Sequence, residues 1–533
     1  MSRRPCSISI ALAILIVLAV ASAATASTAV RQGGTITIDL RNDVDYTDPA
    51  LSYYAPGWEL EYATQLKLLN YPDANGAKSS QLVPEAATGF PKVSGNGLVY
   101  DFTVKVGFTK FSNGRPVTAT NFKAAFDRLA DPKMQSPATA FMSDIVGGDK
   151  TPVSGVRVRG NHLIVTLTKP SPDFLARIAM PFFSAIPTDL PRDPNGVDAP
   201  PSAGPYYVAE RTPNKSIIVK RNPYYKGKRP HNVAQFVYTV GNSLEAIRLR
   251  VEQGESDYAA DGVPPTAWSE IAQKYRVNKG RFFVKPILAV NYLAMNTSRG
   301  IFQNNVGLRR AVNYAIDRKA MLAQSGYLAG KRTDQMLPPG LAGFRDANLY
   351  PLKGPDLKTA RKHAEGHKGD GKVVVYTCNS GSCPLRAQIL QFNLQQLGLD
   401  VEVKQFSRAV QIQKEGTRGE PFDIADEGWV ADYADPYDFI NVLLDGRNIQ
   451  ASNNNNLSYF NDAKYNQKMA RASLLAGPKR FSTYGALDID LTKNAVPWAA
   501  RANANNRIFV SGQFGCFTYS NIYGNNLAAS CVK

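Results

Sequence analysis

The sequence predicts a large, mixed α/β protein with at least one parallel β-sheet. Its 533 residues suffice for about three or four domain-sized units. Hydrophobic residues make up 44% and charged residues 20% of the chain, which excludes collagen-like and disordered classes. A strand at 372–377, a helix at 385–397 and a strand at 400–406 predict the parallel sheet, because a strand–helix–strand order forms a right-handed crossover.

The N-terminus has the layout of a secretory signal peptide. Arg3 and Arg4 form a positive segment, residues 8–20 are apolar, and small residues with two candidate cleavage sites follow. We assign 1–26 to the signal peptide and expect the mature chain in the periplasm or another extracytoplasmic space. A membrane anchor is the alternative, but the apolar stretch is shorter than the roughly 20 residues of a membrane span. The paired arginines leave the export route open.

Residues between the signal peptide and the middle of the chain follow strand and helix periodicities in turn. Residues 34–40 and 99–106 alternate apolar and polar side chains, as half-buried strands do. Thr118 is a candidate N-cap for a helix over 119–129, which gathers its large apolar side chains on one face. Residues 156–167 predict a hairpin with a Gly-Asn turn.

The second half of the chain gives clearer signals. Residues 244–251 suit a helix, and the apolar run 282–295 is extended enough to cross between domains. Leucine, alanine and isoleucine recur at helical spacing over 307–322. Residues 422–429 read as a strand, and a helix is predicted to begin near Pro436.

Cysteine usage agrees with export. An even, sparse set of four follows the signal peptide: Cys378, Cys383, Cys516 and Cys531. Such a set in an exported chain predicts two disulfides, and sequence neighbours give the simplest of the three possible pairings, Cys378 with Cys383 and Cys516 with Cys531. Zinc ligation is the alternative, but neither spacing resembles the short knuckle that zinc sites prefer.

The net charge of +18 permits binding to nucleic acid or to an anionic membrane. However, the densest basic stretch, 353–372, is diluted by Asp356, Glu365 and Asp370, and no nucleic-acid motif frames the basic stretch 215–229. We therefore expect a solvated basic surface and no nucleic-acid partner.

Catalytic signatures are missing from the sequence. It contains no Gly-x-Ser-x-Gly elbow and no phosphate-binding loop. His363 and His367 stand four residues apart, but Gly366 lies between them and a third ligand is missing, so we expect no metal site. Paired carboxylates are plentiful without one pair standing out, so a secreted hydrolase stays open as an alternative.

One acidic and aromatic segment predicts a binding site. Asp432 follows the strand 422–429 at its carboxyl end, where open α/β sheets bind ligands. A carboxylate flanked by Trp429 and Tyr433 can hold a cationic group by a charge-assisted hydrogen bond between aromatic walls. The alternative is that Asp432 or Asp435 only caps the following helix.

Several segments, taken together and in order, resemble the extracytoplasmic solute-binding proteins of ABC importers, in the large oligopeptide/dipeptide/nickel-binding family. The resemblance covers nearly all of the mature chain. It is carried by the segment around Asp432 and by six others: 33–38, 82–88, 108–119, 204–206, 221–225 and 309–318.

The resemblance implies a two-lobed periplasmic-binding-protein-like fold (class II) with a hinge and an extra subdomain in the first lobe. We place lobe I at 27–285, with the extra subdomain at about 50–195, completed by about 500–533. Lobe II then spans 286–499. The implied protein is a monomer without cofactor or enzymatic activity that captures peptides between its closing lobes and delivers them to the permease subunits of an ABC importer.

The resemblance also implies roles for individual residues. Peptide-binding members hold their ligand as an extended strand, and an aspartate at the position matching Asp432 receives the α-ammonium group of the peptide. The candidate ligand-binding residues are therefore Asp432, the pocket-wall residues Gly428, Trp429 and Tyr433, and, from the opposite lobe, Tyr53 and Tyr54.

Two departures from the family pattern affect these expectations. No cysteine stands at the cleavage site, and Cys6 precedes the apolar stretch, so a lipid anchor is not expected. Dipeptide-binding relatives clamp the peptide carboxylate with an arginine just before the second-lobe helix, whereas 377–384 contains no basic residue and Arg386 lies inside the predicted helix. Strict dipeptide recognition is therefore in doubt, and another solute, such as a metal chelate or an oligosaccharide, is the alternative ligand.

Overall fold

A single 13-residue strand near the C-terminus joins two groups of strands into one sheet. The computed structural model describes residues 32–533, so the predicted signal peptide lies outside the described residues. Within 32–533, every helix is too short or too polar to span a membrane.

The strands vary from two to 13 residues in length. In chain order they are β1 Thr35–Leu40, β2 Leu69–Asn70, β3 Val83–Pro84, β4 Lys92–Ser94, β5 Val99–Thr103, β6 Val156–Arg159, β7 His162–Thr166, β8 Tyr206–Thr212, β9 Ser216–Arg221, β10 Gln235–Val240, β11 Tyr258–Ala259, β12 Phe282–Pro286, β13 Ala289–Met295, β14 Gly330–Arg332, β15 Lys372–Cys378, β16 Asp400–Phe406, β17 Ile424–Val430, β18 Trp498–Val510, β19 Phe514–Gly515, β20 Tyr519–Ser520, β21 Gly524–Asn525 and β22 Cys531–Val532.

The helices surround these strands. In chain order they are α1 Ala55–Thr64, α2 Ala119–Leu129, α3 Phe174–Arg177, α4 Leu244–Gln253, α5 Trp268–Tyr275, α6 Val306–Ala315, α7 Arg318–Ala323, α8 Leu357–Ala364, α9 Cys383–Gln395, α10 Arg408–Glu415, α11 Tyr437–Leu444, α12 Ala463–Ser473 and α13 Gly477–Asp490.

The first strand group contains β1, β8, β9, β10, β11 and β12, and the second contains β13, β14, β15, β16 and β17. In the first group, β1 pairs in parallel with β10 and β11. In the second, β15 pairs in parallel with β16 and β17, and β13 pairs antiparallel with β17. The helix α9 connects β15 to β16, which confirms the parallel strand–helix–strand unit predicted from the sequence.

The strand β18 belongs to both groups. Its N-terminal part pairs with β13, from Trp498 to Ala502. Its C-terminal part pairs with β12, from Asn505 to Phe509, and with β11. The apolar run 282–295 supplies β12 and β13, so it passes from the first strand group to the second. The strand β18 pairs antiparallel with both β12 and β13, so these two segments cross the junction side by side.

A separate four-stranded antiparallel sheet, in the order β4-β5-β7-β6, packs against α2. The sequence predicted this helix with the bounds that the structure shows, and it predicted the hairpin β6–β7 to within one residue at its end. The backbone N–H of Thr118, the N-cap of α2, donates to Asn121 Oδ1 at 2.8 Å. The buried side chains Phe122 and Phe126 anchor α2 in the largest hydrophobic cluster of the described chain.

One predicted helix is wrong in its extent. Residues 307–322 form two helices, α6 and α7, rather than one. The chain leaves helical geometry at Ile316, whose ψ is 135°. The side chain of Asp317 then accepts a hydrogen bond from the backbone N–H of Ala320 at 2.9 Å and so caps α7. The apolar spacing continues through this break because both helices pack against the same core, which the sequence pattern alone does not distinguish from one helix.

The structure pairs the four cysteines as sequence neighbours, Cys378 with Cys383 and Cys516 with Cys531. The second disulfide links the C-terminal strand β22 to the segment that follows β19. The first joins the end of β15 to the start of α9, beside the cavity described next.

Candidate functional site

A cavity of about 540 Å³ lies where the two strand groups meet. The first group and α1 contribute Pro56, Glu59, Tyr238 and Tyr258 to its wall. The second group and its helices contribute the charged residues Arg386, Arg408, Asp426 and Glu427, followed by Gly428, Trp429 and Val430 along β17. The shared strand β18 adds Arg501 and residues 504–506.

The wall formed by the second group is basic. Arg386 and Arg501 both bind Asp426, through Nη2 to Oδ2 at 3.0 Å and through Nη2 to Oδ1 at 2.9 Å respectively. Burial lowers the pKa of Arg501, and the neighbouring charge of Arg386 acts in the same direction. Two guanidinium groups therefore share one carboxylate, which leaves the wall with an excess positive charge that favours an anionic ligand group.

A second ion pair on the same wall is internally balanced. Arg408 binds both carboxylate oxygens of Glu427 through its two terminal nitrogens, Nη1 and Nη2, with Nη2 2.7 Å from Oε2. Gln411 Nε2 also donates to Glu427 Oε1 at 2.9 Å. This pair contributes no net charge, so the positive excess comes from Arg386 and Arg501.

The disulfide Cys378–Cys383 lines the cavity next to Arg386. Arg386 Nη1 donates to Ser382 Oγ at 2.5 Å, and its Nη2 lies 3.3 Å from Cys383 Sγ. The disulfide fixes the loop that carries both contacts, so it helps to hold the guanidinium group at the cavity wall.

Asp432 is buried, with 7% of its surface exposed. Its Oδ2 accepts a hydrogen bond from the hydroxyl group of Tyr53 at 2.9 Å. Burial raises the pKa of Asp432 to about 7, although the bond from Tyr53 opposes the rise. The structure therefore brings together two of the predicted site residues, one from the segment before α1 and one from the loop after β17.

Asp438 positions the segment that carries Asp432. The indole Nε1 of Trp429 and the backbone N–H of Asp432 both donate to Asp438 Oδ2, at 3.1 and 3.0 Å. Burial and the nearby carboxylate of Asp432 raise the pKa of Asp438 well above its usual value. One carboxyl group thus fixes both the aromatic wall residue and the backbone of the candidate ligand-binding aspartate.

The side chain of Asp435, rather than that of Asp432, bonds to the start of the helix α11, whose N-cap residue is Pro436. Asp435 Oδ1 accepts from the backbone N–H of Tyr437 at 2.8 Å. The same carboxylate binds the buried Arg480, with Nη2 2.8 Å from Oδ1 and Nε 3.0 Å from Oδ2. The helix-capping role that the sequence left open between the two aspartates thus belongs to Asp435.

The other predicted site residues occupy different surroundings. Gly428 and Trp429 line the cavity, and a Cβ on Gly428 would lie 2.6 Å from Asn291 Oδ1. Tyr433 is 1% exposed, and its hydroxyl group donates to Asp173 Oδ2 at 3.1 Å, so its side chain belongs to the core. Tyr54 is 60% exposed and immediately precedes α1. Of the six predicted site residues, Gly428 and Trp429 line the cavity, whereas Asp432, Tyr433, Tyr53 and Tyr54 are not among its lining residues.

The sequence did not predict Glu59, Arg408 or Arg501 as site residues. Arg386 was expected inside a helix and was not counted among the site residues. None of these residues lies in a motif with a recognisable spacing. They come together because α1, α9, α10 and β18 meet at the cavity, which depends on contacts between residues that are far apart in the chain. The only sequence signal available was the apolar run that supplies β12 and β13, because it marks the junction between the two strand groups.

Comparisons with known proteins show what the chain is similar to. Residues 81–451 match the family model described as bacterial extracellular solute-binding proteins, family 5 Middle. The chain is 27% identical over 417 residues to the protein named "Probable D,D-dipeptide-binding periplasmic protein DdpA" of Escherichia coli K12, covering 76% of each chain. It is 26% identical over 383 residues to the oligopeptide-binding protein OppA of Bacillus subtilis 168, covering 66% of this chain and 68% of the other.

A solved structure confirms the predicted fold class. The structure of clavulanic acid biosynthesis oligopeptide binding protein 2 superposes with a TM-score of 0.86, covering 94% of this chain and 96% of that chain at 23% identity. The fold is therefore the two-lobed α/β fold that was predicted from the sequence.

Proposed function

The chain belongs to family 5 of the bacterial extracellular solute-binding proteins, as its sequence resemblance indicated, and on this premise we propose that it captures peptides between two closing lobes. The names of the two sequence relatives support peptides as the solute class, because one is described as dipeptide-binding and the other as oligopeptide-binding. In this proposal, the peptide passes to the permease subunits of an ABC importer.

The observation that carries the proposal is the buried carboxyl group of Asp432, which stands two residues after Val430, the last residue of β17 and a lining residue of the cavity. In the proposed complex, the α-ammonium group of the peptide binds Asp432, while Trp429 forms the adjacent wall and Gly428 leaves room for the ligand. The hydroxyl group of Tyr53, in the segment before α1, donates a hydrogen bond to the same carboxylate at 2.9 Å. Hydrogen bonds between charged groups are stronger than those between neutral groups. An ammonium–carboxylate pair that is shielded from water therefore gives strong and specific binding.

Tyr54 and Tyr433 have smaller parts in this proposal. Tyr54 is exposed and stands next to Tyr53 in the segment before α1. Tyr433 supports the loop of Asp432 from the core side through its hydrogen bond to Asp173. The carboxylate end of the peptide faces the excess positive charge of Arg386 and Arg501, which supplies the clamp that the sequence had left unassigned.

The proposed lobes are 27–285 with 500–533, and 286–499, with the extra subdomain at about 50–195. Strand pairing supports this division, since the first strand group pairs with the C-terminal part of β18 and the second with its N-terminal part. We propose that the hinge lies at β13 and β18. Signal-peptide cleavage after residue 26, a monomeric state and the lack of a lipid anchor or an enzymatic activity belong to the same proposal.

Two measurements test the proposal. Native mass spectrometry of the gently purified mature protein should find a bound peptide that is released on unfolding. Calorimetric titration of the emptied protein with unmodified tripeptides should then give heat, and N-terminal acetylation of the same peptides should weaken binding. Heat from an oligosaccharide or a metal chelate together with none from any peptide would contradict the proposal.

A further inference from the structure

The cavity wall opposite the arginines contains an acidic group without a partner. Glu59, on α1, lines the cavity, and its Oε2 accepts a hydrogen bond from the hydroxyl group of Tyr258 at 3.3 Å. Its Oε1 is buried and has no hydrogen-bond partner among the residues that the structure describes. A buried carboxyl oxygen without a donor is costly, so this atom marks a place that a ligand donor can fill.

Aromatic side chains surround this carboxyl group. The tyrosines Tyr238 and Tyr258 line the same cavity; burial raises the pKa values of both, and the nearby carboxylate of Glu59 adds to the rise. Tyrosine rings attract cations through their faces, and a carboxylate between them adds a charge-assisted hydrogen bond. The combination of one carboxyl group and two rings is the chemistry that recognises an ammonium or guanidinium group.

No basic residue of the described chain neutralises Glu59. It takes part in no ion pair within 32–533, whereas the cavity arginines Arg386, Arg408 and Arg501 are bound to Asp426 and Glu427. Burial raises the pKa of Glu59 well above its usual value; the hydrogen bond from Tyr258 opposes the rise, and the negative charge of Asp261 adds to it. The described chain therefore supplies no positive partner for this carboxyl group, and a ligand cation can take that place.

We propose that Glu59, with Tyr238 and Tyr258, forms a second cation-binding pocket that takes the guanidinium or ammonium group of a basic side chain in the bound solute. This pocket rests on the proposed function in assuming a peptide solute, but it is separate from the α-ammonium site at Asp432. The cavity then has an acidic and aromatic wall facing a basic wall, and it prefers ligands that carry a positive side chain.

The test uses two tripeptides that differ in a single charge, Ala-Arg-Ala and Ala-citrulline-Ala. Citrulline has nearly the shape of arginine but is neutral. Calorimetry should show that the wild-type protein prefers the arginine peptide by about tenfold to hundredfold, as expected for a buried, charge-assisted hydrogen bond. Glu59→Gln keeps the side-chain shape and should remove this preference while leaving the citrulline peptide bound. Equal affinities of the wild-type protein for the two peptides would overturn the proposal.

A matched control and a second probe separate this inference from the proposed function. Glu61→Gln, on the same helix, removes a buried carboxyl group that is not a lining residue of the cavity, and it should retain the preference for arginine. Agmatine carries a guanidinium group without a peptide. If no peptide binds, heat from agmatine that Glu59→Gln abolishes still supports the pocket, whereas no Glu59-dependent heat from any of these ligands overturns it.

A third ligand separates the pocket from the site of the peptide N-terminus. Binding of N-acetylated Ala-Arg-Ala should still depend on Glu59, because this peptide has no α-ammonium group. Loss of that dependence would instead assign Glu59 to the peptide N-terminus.

Discussion

The hydroxyl group of Tyr53 donates a 2.9 Å hydrogen bond to Oδ2 of Asp432, a residue 379 positions further along the chain. Tyr53 precedes α1, whereas Asp432 follows β17, so the bond joins the segment before the first helix to the loop after a strand of the second group. In the proposed ligand-bound state, the same carboxylate oxygen pair serves both Tyr53 and the α-ammonium group of a peptide. In this proposal, ligand binding therefore depends on the carboxyl group of Asp432.

Replacing Asp432 should weaken the binding of peptides with a free N-terminus. Asp432→Ala removes the partner of a buried ammonium group, and we expect a loss of about 2–5 kcal/mol in binding free energy. Calorimetric titration with a free tripeptide measures it. The exposed Asp346→Ala serves as the control and should bind like the wild-type protein. An unchanged affinity of Asp432→Ala would remove Asp432 from the site.

Peptide affinity should decrease as pH falls through about 7. Burial raises the pKa of Asp432 to about 7 in the empty protein, whereas an ammonium group binds the ionised carboxylate. Below this pH a proton must leave before the peptide binds, so protons compete with the ligand. Titrations at pH 5.5 to 8.5, in buffers of different ionisation enthalpy, should show proton release at low pH that Asp432→Asn abolishes. Affinity that is flat across this range would contradict the assignment.

Removing the hydroxyl group of Tyr53 should shift that pH dependence upward. The bond from Tyr53 stabilises the ionised form of Asp432, so Tyr53→Phe should raise the pKa of Asp432 further. The pH at which peptide affinity falls by half should then increase. Tyr54→Phe alters the exposed neighbour and should leave the midpoint unchanged. A midpoint that does not move in Tyr53→Phe would mean that the bond does not govern the ionisation of Asp432.

The buried ion pair between Arg480 and Asp435 should matter for folding rather than for ligand choice. Arg480→Met leaves a buried carboxylate without its partner, and we expect the free energy of unfolding to decrease by about 3–5 kcal/mol. Chemical denaturation measures the change. Lys479→Met, at the exposed neighbouring position, provides a matched control. Equal stability of the two variants would show that Asp435 finds another partner.

The two disulfides should differ in their effects. Cys516→Ser with Cys531→Ser opens a cross-link that spans 15 residues, and we expect a stability loss of about 3 kcal/mol with peptide affinity retained. Cys378→Ser with Cys383→Ser opens a loop of only five residues beside Arg386. This second variant should lose affinity for peptides with a free carboxylate but not for C-terminally amidated ones. Identical binding by both double variants would deny the Cys378–Cys383 disulfide a role in positioning Arg386.

Local periodicity was enough to predict many elements of the fold. The helix over 119–129 and the hairpin over 156–167 are set by short-range patterns, namely an N-cap with an apolar face and a turn between alternating residues. The split of 307–322 into α6 and α7 was not predictable in the same way, because one side-chain bond from Asp317 interrupts a pattern that continues on both sides.

The candidate site was predictable only where a motif carries it. Trp429 lies near the end of a strand and Asp432 directly after it, in an acidic and aromatic segment, so the sequence predicted both as site residues. Glu59 and Arg501 have no such context. They face the same cavity because α1 and β18 converge there, and this depends on pairings between residues that are far apart in the chain.

The strand β18 has a consequence for how the protein reaches its native state. Both strand groups need this strand, and it is synthesised after every strand that it pairs with. Until it arrives, β11, β12 and β13 each lack a neighbour and expose unpaired backbone edges, which are sites of aggregation. The nascent chain therefore keeps these edges unpaired until β18 has been made, and a truncation before Trp498 would leave both strand groups incomplete rather than one.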